Sequence, residues 1–107
     1  MVRRSYSAVI ERNVEWDGRF DTEPYEVGWA SEAVFFIRAL KGGAADSTAQ
    51  VEITPDGMHW CSEGSVIALP AEGEVTHCKV TNFGNWLRLT GEAGHPLTVI
   101  VTLSLKE

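Results

Sequence analysis

Cysteine, positive charge and long apolar runs are all scarce in this chain, and each scarcity closes off a class of protein. Two cysteines in 107 residues are too few for a disulfide-rich secreted miniprotein. Nine basic against fifteen acidic residues leave a formal charge of -6. Phosphate contacts need clustered Lys and Arg, so no nucleic-acid partner is expected. No window approaches the roughly 18 uninterrupted apolar residues of a membrane span, and no membrane partner is expected. Arg3 and Arg4 are not followed by the apolar stretch of a signal peptide, because Glu11 and Arg12 interrupt it. The expected location is therefore cytoplasmic, or within a phage-like particle. A Gly-x-Ser-x-Gly elbow, a phosphate-binding glycine loop and a His-Glu-x-x-His helix are all missing. A chain this short also has little room for a deep pocket. It is read as non-catalytic and without a cofactor.

What is present is β-structure. A hydrophobic share of 44% and a charged share of 22% are those of a soluble globular domain. Residues 1–107 are read as one domain, with residues 1–7 as a candidate N-terminal arm. Leu97, Val99, Val101, Leu103 and Leu105 alternate with Thr98, Ile100, Thr102, Ser104 and Lys106, the period of a strand with one buried face. Ala49, Val51 and Ile53 alternate in the same way. Residues 33–40 are apolar on both faces, as in a strand central to a sheet or covered at a subunit contact. Further strands are expected near 5–14, 24–29, 65–69, 75–83 and 86–90. Glycine-, proline- and asparagine-rich turns at 42–43, 55–57, 70–73, 82–85 and 91–94 separate them. This spacing predicts an antiparallel two-sheet β-sandwich of about seven to nine strands, jelly-roll-like rather than immunoglobulin-like.

The most specific local pattern is Thr54-Pro55-Asp56-Gly57-Met58-His59-Trp60 after the alternating run 51–54. It resembles the Ser/Thr-x-Asp-Gly-x-x-Trp hairpin of discoidin-like domains and of many small bacterial and phage β-sandwiches. It is also similar to a shortened Asp-box turn of β-propellers. Downstream, Asn85-Trp86-Leu87-Arg88-Leu89 resembles the penultimate strand of such sandwiches, and residues 97–105 their closing strand. The resemblance implies a fold rather than a ligand, with Asp56, Gly57 and Trp60 structural.

Four side-chain groups remain as candidate sites. Trp16, Tyr25, Trp29 and Trp86 are candidates for a subunit interface or a ligand platform, since exposed flat rings stack on sugars and covered ones fill contacts. His59, Cys61, His77, Cys78 and His95 include zinc-ligand types. Neighbours in a strand point to opposite faces, however, so His77 and Cys78 cannot both join His59 and Cys61. The loop between Cys61 and Cys78 would suit one disulfide, but reduced thiols are the reading without an export signal. The acidic run Glu11, Glu15, Asp17, Asp21, Glu23 and Glu26 is too loosely spaced for a calcium loop and reads as a solvated face.

The expected function is that of a non-catalytic structural or assembly protein. It would be a self-associating subunit, or an accessory of a larger bacterial or phage-like particle. Arg3 and Arg4 would contact the acidic segment of a neighbour. A carbohydrate-binding module using surface tryptophans is the alternative.

Overall fold

The computed structural model describes residues 3–107, so Met1 and Val2 of the expected arm lie outside it. The described residues form β1 (Ser5–Asp21), β2 (Tyr25–Glu26), β3 (Glu32–Gly42), β4 (Thr48–Ile53), β5 (Cys61–Ala68), β6 (Val75–Thr81) and β7 (Trp86–Lys106). Every pairing is antiparallel. Ser5, Tyr6 and Ser7 are already strand, opposite Lys106, Leu105 and Ser104.

The expected two-sheet sandwich is not what the chain forms. All strands belong to one hydrogen-bonded sheet in the order β5-β4-β7-β3-β6, with β1 and β2 also on β7. β5 and β6 approach each other at the far ends of that order, so the sheet curls into a nearly closed barrel. The reason lies in β7. Residues 91–94 read as a turn between two strands, but the chain runs through them without reversing. One edge of β7 pairs with β4 along Leu87–Gly91 and with β3 along Leu97–Lys106. The opposite edge carries β1 and β2. One long strand thus spans both strands expected at 86–90 and 97–105.

Such a strand has to bend. Its 21 residues would span roughly 70 Å if straight, whereas the longest dimension of the fold is 43 Å. Trp16 pairs with Leu97 but Gly18 with Ala93, so Asp17 faces three residues of β7, Gly94, His95 and Pro96. That unequal count, with proline inside it, is the corner. Further register shifts lie at Val9/Glu11 and Arg12/Val14. Asn13 and Gly18 take left-handed φ values of 58° and 79° at these irregular points, where a bulged strand twists most sharply.

Folding the β1–β7 ribbon at its corner turns the inner sides of both halves toward one core. Phe35, Ile37, Val51, Leu87, Leu89, Val101 and Leu103 are fully buried there. Trp16 stacks on Phe20 with ring centroids 3.8 Å apart and planes 8° apart. The Phe20 ring lies across Gly91, its partner in the ladder, an aromatic covering a glycine at a tight bend. A Cβ at Gly91 would meet the Phe20 ring at 2.9 Å and the Ala49 Cα at 3.1 Å. Gly91→Ala is therefore expected to destabilise the fold by about 1–3 kcal/mol through overpacking. Urea unfolding checks this, with a lowered midpoint and an unchanged slope.

Candidate functional site

β1 and β2 meet at an open seam of the barrel. The side chain of buried Thr22 prolongs the β1–β7 pairing: its backbone N–H donates to the Leu89 carbonyl and its Oγ1 accepts from the Leu89 N–H, both at 2.9 Å. The chain then enters β2, where Tyr25 pairs with Leu87 and Glu26 with Trp86. The Val27 N–H donates to the Asn85 carbonyl at 2.6 Å, and a turn closed from Ala30 N–H to Val27 carbonyl carries Trp29. A Cβ at Gly28 would lie 2.9 Å from Asn85 Oδ1 and 3.1 Å from Glu26 Oε1, two side-chain ends that would have to turn aside.

Arg4, Ser5 and Tyr6 from the start of β1 face Tyr25, Glu26 and Trp29 across an open groove of about 510 Å³. The Arg4 guanidinium lies over the Trp29 ring, 4.4 Å from its centroid. It also bonds Glu107, with Nη2 3.2 Å from Oε2 and the Arg4 N–H donating to Oε1 at 3.1 Å. These Arg4 N–H groups, the backbone one first, hold the Glu107 carboxyl below its ordinary range. Burial, and then a hydrogen bond with Tyr6, raise the Tyr25 phenol above its usual value. The Tyr25 phenol therefore stays neutral near pH 7. The groove therefore offers ring faces, hydroxyls and ionised groups that are already paired.

The structure separates the other candidates. Trp16 is buried against Phe20, inside the core. Trp86 points outward, half-buried, beside Glu26 on the neighbouring strand. Arg4 meets its own chain's Glu107 and Trp29 instead of extending away, and Arg3 is exposed. In the sequence Tyr6 is one aromatic among several and not a platform candidate; Tyr25 is 19 residues away, and only the seam brings the two to one groove. Cys61 is exposed, Cys78 is buried, and both are free. Burial, reinforced by Glu63, pushes the Cys78 thiol up to about 11, where it is an unreactive packing group. Among the described residues no group of three or more His, Cys, Asp or Glu is placed to hold a metal ion.

The Asp56-Gly57 loop joins β4 to β5. Thr54 Oγ1 accepts from the Gly57 N–H at 3.0 Å, and Asp56 Oδ1 accepts from the N–H groups of Met58 and His59, each at 2.8 Å. His59 Nδ1 lies 2.6 Å from Asp56 Oδ2. Trp60, just beyond, carries the Arg88 guanidinium over its ring at 4.2 Å from the centroid. Arg88 in turn reaches Glu52 Oε1 at 2.8 Å.

No family model and no curated protein matches the chain. Among solved structures it is similar to the SPBc2 prophage-derived protein YomS, with a TM-score of 0.69 at 8% sequence identity. The alignment covers 100% of this chain and 96% of that one. The two share a fold. This is a small β-rich domain similar to a prophage protein along its whole length. No helix among the described residues is long and apolar enough to cross a membrane.

The Asp56 loop gives a pH prediction. The His59 N–H, the His59 ring and the Met58 N–H, in that order, hold the Asp56 carboxyl well below the ordinary carboxylate range. A lowered native value means that the stabilisation is complete above the ordinary Asp pKa of about 3.9 and is lost as pH falls below it. Asp56→Asn should lower the thermal midpoint at pH 7 and flatten its dependence on pH between about 4 and 2 relative to wild type. Thermal melts across that range check it.

Proposed function

We propose that this chain is a non-catalytic structural subunit that associates with itself, as an accessory component of a larger, phage-like particle. The observation that carries the reading is the outer side of β3. Ala33, Phe35, Ile37 and Ala39 are buried in the core, while Val34, Phe36 and Leu40 on the other side remain half exposed. Val9 and Val75, 44% and 56% exposed, share that outer surface. An apolar sheet face left open on a small domain is characteristic of an association surface. The whole-length likeness to a prophage protein supports the particle context, and the paired, unreactive groups of the groove support a role without catalysis. In this reading Asp56, Gly57 and Trp60 form a structural cap on the β4–β5 hairpin. Sedimentation at tens of micromolar should give a mass above one chain. A single monomeric species would sink the proposal.

The groove favours a second reading, carbohydrate binding, because Tyr6, Tyr25 and Trp29 line one open cleft. The Arg4 guanidinium already lies over one face of Trp29, which leaves the subunit role preferred. A sugar seated there would alter tryptophan emission in the wild type and not in Trp29→Phe. Fluorescence titration across a panel of polysaccharides distinguishes the two readings.

A further inference from the structure

The two outer faces of the barrel are unlike in charge. On the face formed by β1, β7, β3 and β6, side chains opposite to the buried set follow the ladder register. That set places Arg12 and Arg38 beside Ile100, Lys79 beside Val34, Lys41 beside Thr98 and Lys106 beside Glu32. Five of the chain's nine basic residues thus gather on one face, whose paired rows contain two carboxylates, Glu15 and Glu32. Between the cations lie Val9, Val34, Phe36, Val75 and Ile100. A shallow hollow of about 320 Å³ opens among Phe36, Arg38, Val75 and Ile100.

The face formed by β2, β4, β5 and the first half of β7 has the opposite character. Its outward side chains include Asp21, Glu26, Glu52 and Glu92. Asp46 and Glu92 line a polar hollow of about 510 Å³ with Thr48 and Gln50. Of its two arginines, Arg19 sits beside Glu92 in the ladder, and Arg88 is held by Glu52 at 2.8 Å and Asp21 at 4.0 Å. Trp86 and the 52% exposed Val66 supply apolar surface there. Because both halves of the bent ribbon turn their inner sides to one core, these two faces point away from each other.

We infer that copies of this chain stack front to back, the basic apolar face of one docking on the acidic face of the next. The inference rests on the self-association proposed above and specifies its surfaces. Like faces would oppose like charge, whereas unlike faces bring Arg38 and Lys79 toward Asp46 and Glu92 with Phe36 between them. The fold extends 43 × 30 Å across its broad side, room enough for the roughly 800 Å² per partner of a stable interface. Contact between two different surfaces of the same chain is heterologous, and it builds a ring if the rotation closes or a filament if it does not. A particle component assembled by repetition needs such a contact.

Two variants and their mixture test this by sedimentation. R38E/K79E reverses charge on the basic face, and D46K/E92K reverses it on the acidic face. All four positions are exposed, and circular dichroism should confirm an unchanged fold. Wild-type association should weaken roughly tenfold between about 0.05 and 0.5 M salt, as screening of facing charges requires. Each variant alone should associate at least roughly tenfold more weakly than wild type. An equimolar mixture should recover assemblies that neither variant forms alone, because intact basic face then meets intact acidic face and the two reversed faces also carry unlike charge. If the wild type associates but either variant associates equally well, self-association stands and front-to-back stacking is overturned. Weak variants that form no mixed complex also overturn it. A wild type that is monomeric at every salt concentration overturns both proposals.

Discussion

The antiparallel pairing of the first strand with the last holds this molecule together, and its bend determines everything built on it. β1 and β7 run side by side from Ser5–Lys106 to Asp21–Thr90. The pairing joins chain ends that lie furthest apart in sequence, and Arg4 and Glu107 secure the outer end with backbone and side-chain bonds. A straight ribbon of this length would leave one apolar side in water along its whole extent. Folded where Asp17 faces Gly94, His95 and Pro96, it buries that side against itself. β3 with β6 and β4 with β5 then extend the two halves until the sheet nearly closes. Hydrophobic burial drives the fold, while the bulges and glycines at the corner let one sheet do what two would otherwise do.

The same bend arranges the surface. It sets β2 beside the beginning of β1, creating the aromatic groove, and it turns the outer sides of the two halves in opposite directions. A net acidic chain thereby acquires one basic, partly apolar face and one acidic face. The charge total does not reveal this segregation. Alternate residues of β1 and β7 lie on the outer side in both halves, and which half they occupy decides which charges they join.

The tryptophans show how residue type and position divide the work. Trp16 fills the core at the corner, stacked on Phe20. Trp29 and Trp60 each carry an arginine over the ring, so their aromatic faces serve to position cations that are in turn paired with Glu107 and Glu52. Trp86 remains half exposed on the acidic face. Four rings of one kind divide among three settings, core, cation support and half-exposed surface, because a tryptophan's face, edge and N–H suit each of them.

Alternation of side chains is local, and it made the strands legible: 49–53 and 97–105 could be read directly, and so could the turn at Asp56-Gly57, where short polar side chains bond nearby backbone. Residues 33–40 announced a strand apolar on both faces, and β3 buries one face in the core and leaves the other half exposed. Glycine and asparagine near 13, 18 and 91 have the same composition whether a strand reverses or bends, so the turn expected at 91–94 is a stretch of continuous strand, and a sandwich became a barrel. The meeting of Tyr6 with Tyr25, the role of Glu107 and the division of charge between two faces were invisible for a related reason. They depend on pairing between residues up to about a hundred positions apart, and pairing is settled by collective burial of the core rather than by neighbours along the chain. The β-class, the strand periodicity and the acidic total follow from local alternation and composition; the single curved sheet, the groove and the opposed charged faces exist only once distant strands have paired.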